Sequence, residues 1–191
     1  LSIGTRPDCI SDELLVYLQY LSRRTALTVE LGLQTVHDDT ARIINRCYEY
    51  KEFLVTYSKL KSHGIRVCIH IINGLPNETF EMMFETAQQV GKLKPDGLKI
   101  QLLHIIKGTE MEKMYYNGEV EPMSKEDYVN LVVKQLEYIP AETVIERITG
   151  DGAKSKLIAP LWSMDKISVL GEIDKRQAGL NSWQGKHVIQ E

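Results

Sequence analysis

The sequence predicts an α/β fold, the C-terminal portion of a β/α barrel in which parallel strands alternate with helices. Strand-like runs at the N-terminus, at Thr28 to Gln34, at Arg66 to Asn73 and at Leu98 to His104 recur at the spacing of βα units, each separated from the next by a helical stripe. Leu1 to Asp8 also reads as the second half of a strand running into a loop, with no turn or cap before it. The front strands of the barrel, and with them its metal centre, are therefore expected upstream of Leu1.

Taken in order, Ser11 is placed to cap a helix whose first turn carries Asp12 and Glu13, favourable against the helix dipole, and whose apolar stripe is Leu14, Leu15, Leu18 and Leu21. In the next strand Val29, Leu31 and Leu33 alternate with Glu30, Gly32 and Gln34. The apolar set is expected to meet the helices and the polar set to face the barrel interior. Phe53, Leu54, Tyr57 and Leu60 predict a second helix, stopped at His63-Gly64, where glycine suits a left-handed end. After the strand Arg66 to Asn73, the loop Gly74 to Thr79 leads to a third helix marked by Met82, Met83, Ala87 and Val90. Lys94-Pro-Asp-Gly97 then turns into Leu98 to His104.

Beyond Tyr116 the rhythm changes. Asn117-Gly118 is a turn, and Ser124-Lys-Glu-Asp127 resembles a capping box, with Asp in place of Glu or Gln, opening a helix towards Tyr138. Pro140 ends it, Thr143 to Thr149 reads as a strand, Gly150-Asp-Gly152 as a tight loop and Ser163 to Gly179 as a last helix. The polar tail from Asn181 to Glu191 is expected to fray. The chain thus divides into a barrel part, residues 1–116, and an α+β extension, residues 117–191, packed on it.

Composition sets limits. At 191 residues, 43% of them apolar and 26% charged, the chain buries a real core and is not disordered. A net charge of -3 excludes a strongly basic nucleic-acid module while leaving room for local basic patches. Cys9, Cys47 and Cys68 are odd in number and far apart, which fits reduced thiols in a cytoplasmic protein and neither a disulfide framework nor a close-spaced ligand set. No apolar run approaches the ~20 residues that span a bilayer, so no membrane partner is expected. The histidines lack helical pair spacing and no His-Glu-x-x-His occurs, so no metal ligand is assigned within the chain. Without a P-loop, a dinucleotide fingerprint or a Gly-x-Ser-x-Gly elbow, hydrolase and kinase readings have no anchor.

In a parallel barrel the C-terminal strand ends form the working face. Arg6 and Asp8 follow the first strand, Glu30 and Gln34 lie on the inner face of the second, His70 and Asn73 end the third, and Lys99, Gln101 and His104 lie on or beyond the fourth. Each alone is more often a buried polar residue satisfied by its neighbours. Their concurrence points to a site. Gly74 permits a close approach and Pro76 stiffens the loop ahead of a helix N-terminus, although an ordinary strand-to-helix turn has the same composition. The Met82-Met83 pair, Met111, Met114, Tyr115, Tyr116 and Trp162 are expected as packing residues.

The ordered set Ile3-Gly-Thr-Arg-Pro-Asp8, Val29-Glu-Leu-Gly-Leu-Gln34, Ile44-Asn-Arg46, Gly64-Ile-Arg-Val-Cys68 and His70-Ile-Ile-Asn-Gly-Leu-Pro76 resembles the radical S-adenosylmethionine superfamily, in the branch that includes the Elongator catalytic subunit and oxygen-independent coproporphyrinogen oxidase. Asp96-Gly-Leu-Lys-Ile-Gln-Leu-Leu-His104, Lys107-Gly-Thr109, Val144-Ile-Glu-Arg-Ile-Thr-Gly-Asp151, Ile158-Ala-Pro160 and Gln184-Gly185 resemble the bacterial YhcC/YtqA-type proteins of that branch.

The resemblance implies the C-terminal part of a partial (β/α)6 barrel, with a Cys-x-x-x-Cys-x-x-Cys loop upstream holding a 4Fe-4S cluster that binds S-adenosylmethionine and releases a 5'-deoxyadenosyl radical. It implies cofactor contacts from Glu30, Gln34, Arg46, His70, Gly74 and Pro76. Substrate contacts are implied for Arg6, Lys99, Gln101, His104, Arg147 and Asp151. The function implied is tRNA modification at the wobble uridine, with flavodoxin or ferredoxin as electron donor and with this piece alone inactive. A small-molecule or porphyrin radical enzyme and a non-catalytic haem- or RNA-binding protein are the alternatives. Dimerisation through an exposed strand edge is a further expectation. Two departures stand out: Cys47-Tyr48 replaces the usual Gly-His after Arg46, and Asn77 replaces the glycine after Gly74-Leu-Pro76.

Overall fold

In the computed structural model, which describes residues 1–150, 152 and 154–188, β1 (Ser2–Thr5) leads into α1 (Asp12–Ser22), capped by the Ser11 hydroxyl accepting from the Leu14 N–H. β2 (Thr28–Gln34) is followed by α2 (Asp38–Ile43) and α3 (Tyr50–Ser62), then β3 (Arg66–Asn73), α4 (Phe80–Leu93) and β4 (Gly97–Leu102). The remainder comprises β5 (Ile105–Ile106), α5 (Glu110–Tyr116), α6 (Lys125–Leu136), β6 (Val144–Ile148), β7 (Leu157–Ala159) and α7 (Lys166–Gly179).

One sheet runs β1-β2-β3-β4-β6, parallel at every pairing, and β5 pairs antiparallel with β7 in a separate ribbon. The α/β class is as expected, and the strands stand as an open sheet. The 117–191 segment does more than pack on its outside, because β6 joins the sheet beside β4.

Alternation along the strands decides which face is which. Val29, Leu31, Leu33, Val67, Ile69, Ile71, Leu98 and Ile100 are fully buried in one cluster with Phe53 and Leu60 of α3, Ala87 and Val90 of α4 and Val132 of α6. Each such side chain contributes about 1.5–3 kcal/mol by leaving water. A one-residue slip of β2 would exchange three of them for Glu30, Gly32 and Gln34, so the register is strongly fixed.

Several elements differ from the sequence expectation. Leu15 and Leu18 carry the buried face of α1, whereas Leu14 is 37% exposed. α2 is too short to show a stripe, and α5 buries no residue completely, so neither has a periodic signal. At Ser124 the hydroxyl caps the Asp127 N–H at 3.1 Å, but the Asp127 carboxylate reaches only that hydroxyl, at 2.6 Å, and not the Ser124 backbone. Asp is one methylene short of closing a capping box. Glu52 does close one on α3, accepting from the Glu49 N–H at 2.8 Å.

The tail is docked through residue 188 and does not fray there. The Gln184 amide donates to the Pro140 and Thr143 carbonyls at 2.7 and 2.8 Å, and the Gly185 and His187 N–H groups donate to Leu136 and Glu137 carbonyls at 3.0 and 2.9 Å. The last two bonds satisfy carbonyls at the end of α6 that the helix itself leaves open.

Candidate functional site

The face opposite the core carries a charged row across the sheet. Register places Gly4 beside Glu30, His70 beside Lys99 and Lys99 beside Arg147. Glu30 accepts a short hydrogen bond from the Ser2 hydroxyl and another from Lys99 Nζ at 2.5 Å. Lys99 also lies 3.7 Å from Glu146. Burial pushes the Glu30 carboxyl up, but the Lys99 ammonium and the Ser2 hydroxyl outweigh it and hold the group at about 2.

His70 completes the row. Its pKa is lowered, first by burial and then by the Lys99 charge, so the ring is neutral at pH 7. The Gln101 amide donates to Nδ1 at 3.3 Å, which leaves the ring proton on Nε2. That nitrogen is buried 2.9 Å from Glu30 Oε2 but out of hydrogen-bond alignment, and it has no hydrogen-bond partner.

Where β2 ends, the backbone of Gln34 takes a positive φ of 62° and the pairing with β3 shifts between Gly32 and Gln34. This irregularity opens a cleft of about 360 Å³ whose polar lining is Arg6, Gln34, Asn45, Arg46 and Tyr48 and whose apolar lining includes Ile72, Leu75, Leu103 and Met111. Tyr48 organises one wall. Its hydroxyl donates to the Gly32 carbonyl at 2.9 Å and lies 3.2 Å from Gln34 Oε1. Gln34 Nε2 consequently sits over Gly32, where a Cβ would come within 2.7 Å of it. A side chain at position 32 would have to displace this amide.

Arg46 is buried beneath this wall. It donates to the Tyr48 carbonyl at 2.9 Å, to the Leu33 and Thr35 carbonyls at 2.8 and 2.5 Å and to Asp38 at 2.9 Å, using four of the five N–H groups a guanidinium has. Its guanidinium also stacks on the Tyr48 ring, with 4.8 Å to the centroid. The non-glycine departure at Cys47 leaves this turn intact, because Cys47 adopts the φ of 68° that glycine would supply, and Asn77 likewise takes 63°. Arg6 is half-exposed at the rim in a bidentate pair with Asp8 at 2.9 and 2.5 Å.

Other expected residues go elsewhere. Gly74 has a φ of 83°, but its bare side faces the chain itself: a Cβ there would meet Met123 Cγ at 3.2 Å, and its N–H points to Met83 Sδ at 3.0 Å. Met123 thus covers the bare face of Gly74. Pro76 is buried. Asn73 points to the core face, in a reciprocal amide pair with Gln135 at 2.9 and 2.8 Å. His104 packs under the next loop, where a Cβ on Gly150 would be 2.8 Å from its ring, and its Nε2 is buried without a partner. Asp151 lies outside the described residues.

Tyr48, Ser2 and Glu146 were missed. The alternation that singled out Glu30 also points Ser2 inward, and Tyr48 was visible only as a substitution. Among the described residues no group of three His, Cys, Asp or Glu side chains is placed to hold a metal, and burial pushes the Cys68 thiol far above its usual range.

Comparison with known proteins gives a consistent family. The model of the radical SAM superfamily matches residues 1–90, and that of the radical SAM C-terminal domain matches residues 95–178. The chain is 52% identical over 186 residues to the Bacillus subtilis protein YtqA, covering 97% of this chain and 58% of that protein. It is 29% identical over 176 residues to the tRNA uridine(34) acetyltransferase of Methanocaldococcus jannaschii, covering 91% of this chain and 31% of the enzyme. Among solved structures, an N-terminally truncated Methanocaldococcus infernus Elp3 shares the fold with a TM-score of 0.82 at 22% identity, covering 96% of this chain and 42% of that one. The chain spans little more than half the length of the first of these relatives.

Proposed function

This chain belongs to the radical S-adenosylmethionine superfamily, and we propose that it forms one wall of the active site of an enzyme that modifies tRNA at the wobble uridine. The carrying observation is the cleft at the C-terminal end of the sheet, which joins side-chain amides to an apolar wall above the Glu30, His70 and Lys99 row. Such a lining suits a nucleoside: the Gln34 and Asn45 amides for ribose hydroxyls, and Ile72, Leu75 and Leu103 for the face of a purine. Arg6 at the rim is the accessible cation for a carboxylate, whereas Arg46 has one N–H left and mainly fixes the wall. His70 Nε2, 2.9 Å from Glu30 Oε2, is held in the row by that carboxylate.

A 4Fe-4S cluster with S-adenosylmethionine supplies reductive cleavage of a sulfonium C–S bond and hydrogen-atom abstraction. Cys9, Cys47 and Cys68 do not converge, so on this reading the cluster thiolates come from outside these 191 residues, and a flavodoxin or ferredoxin supplies the electron. Within the chain, the Lys99 ion pair keeps Glu30 ionised, and Glu30 holds the row in place while the apolar wall excludes water. The tRNA assignment draws on the tRNA uridine(34) acetyltransferase among the relatives. Nucleoside mass spectrometry of tRNA from a strain lacking the gene tests it. Accumulation of a less modified uridine at the wobble position is expected, and an unchanged nucleoside profile would overturn the tRNA assignment.

A further inference from the structure

We propose that the β5–β7 ribbon is the docking surface for the RNA phosphate backbone, an inference that rests on the RNA reading above. The ribbon stands beyond the C-terminal end of β4 and borders the cleft, since Leu103 before it and Met111 of α5 both line that cleft. Its backbone pairing continues past Ile106 and Leu157 through the Lys107 N–H donating to the Lys156 carbonyl at 2.8 Å. Lys107 and Lys156 therefore meet at the end of the ribbon, and Lys154 opens the short helical turn that ends at Lys156.

Like charges placed opposite each other across strands are destabilising. Here all three side chains are exposed and none of the three forms an ion pair among the described residues; the Glu112 carboxylate nearby is engaged by the Gly108 N–H at 2.6 Å. The same chain pairs Lys59 with Asp12, Lys61 with Asp96, Lys99 with Glu30, Lys113 with Glu110 and Lys125 with Glu172. With a net charge of -3 overall, an unneutralised lysine cluster beside the cleft is a local feature and not a reflection of a basic chain. α5, which packs on β5, ends in Tyr116, whose side chain is 70% exposed and available to stack on a base. A polyanion with an unpaired base matches this surface.

The test is fluorescence anisotropy with a labelled, unmodified tRNA transcript across a salt series. The proteins compared are the wild type, the K107A/K154A/K156A variant and a control, K51A/K92A/K175A, which removes three exposed lysines elsewhere. The ribbon variant is expected to flatten the slope of log affinity against log salt by about 2, as three lost phosphate contacts would, which amounts to roughly 100-fold weaker binding at 0.1 M salt. The control variant is expected to keep the wild-type slope. Binding by the ribbon variant with an unchanged slope would overturn the assignment of this surface and leave the RNA reading standing. Absence of tRNA binding by the wild type at low salt would overturn the RNA reading itself.

Discussion

Lys99→Met removes the ammonium from the charged row while keeping most of the aliphatic stem, so its cost isolates the charge. The Glu30 carboxyl is held at about 2 in place of 4.5, a depression of 4.5 − 2 = 2.5 pH units. At about 1.4 kcal/mol per unit this corresponds to about 3 kcal/mol of stability at pH 7. Because the folded-state pKa is the depressed one, that contribution is complete above pH 4.5 and is lost as the pH falls towards 2. In the variant, burial of Glu30 is opposed by only the Ser2 hydroxyl and His70, and a buried carboxylate without its ammonium partner is penalised. Urea unfolding followed by circular dichroism is therefore expected to show a loss of about 3 kcal/mol at pH 7 that shrinks to less than half at pH 3. Adding Glu30→Gln is expected to recover most of the pH 7 loss. A cost equal at both pH values, or not relieved by Glu30→Gln, would refute the electrostatic account and reduce Lys99 to a packing residue.

Further outcomes follow from the same geometry. His70 is expected to titrate below 6.5 by NMR, so its contribution to stability is held above that pH and lost as the pH falls; Lys99→Met should raise the midpoint and Glu30→Gln should lower it. Arg46→Ala removes four hydrogen bonds, leaving the Tyr48 and Thr35 carbonyls without this donor while Asp38 keeps the Tyr50 N–H and Leu33 the Thr35 N–H, and is expected to cost about 3–5 kcal/mol in chemical denaturation. Tyr48→Phe should cost only about 1 kcal/mol, yet weaken nucleoside binding by freeing the Gln34 amide. Gly91→Ala would place a Cβ 2.1 Å from the Tyr138 carbonyl oxygen, where α4 meets the end of α6, and should cost about 3 kcal/mol or more by the same assay.

β2 was legible as a period-two pattern with a fully buried face and β3 as a run of buried apolar residues, and both match the sequence expectation residue for residue. The ribbon was not, because two- and three-residue strands carry no period, and α5 is held against β5 by partly buried side chains only. Within the site, Glu30, His70, Lys99 and Gln101 come together as their alternation implied. What lies against Gly74 was not legible, since a glycine's bare face gives no hint of which neighbour approaches it, and here Met123 does. The inward use of Arg46 was hidden for a similar reason. A buried guanidinium bonded to backbone carbonyls has no sequence partner to reveal it. Tyr48 needed the fold as well, because its bond to Gly32 crosses from the loop back onto β2.

The most direct test of the account is an NMR titration of the isotopically labelled protein with S-adenosylmethionine, read at the cleft. Saturable shifts of the Gln34 side-chain amide and of the Gly32, Asn45 and Leu103 backbone amides are predicted, weakened by Gln34→Ala. An absence of shifts at millimolar ligand, or shifts confined to the groove between α6 and α7 lined by Lys125, Glu172 and Arg176, would contradict the assignment of this cleft.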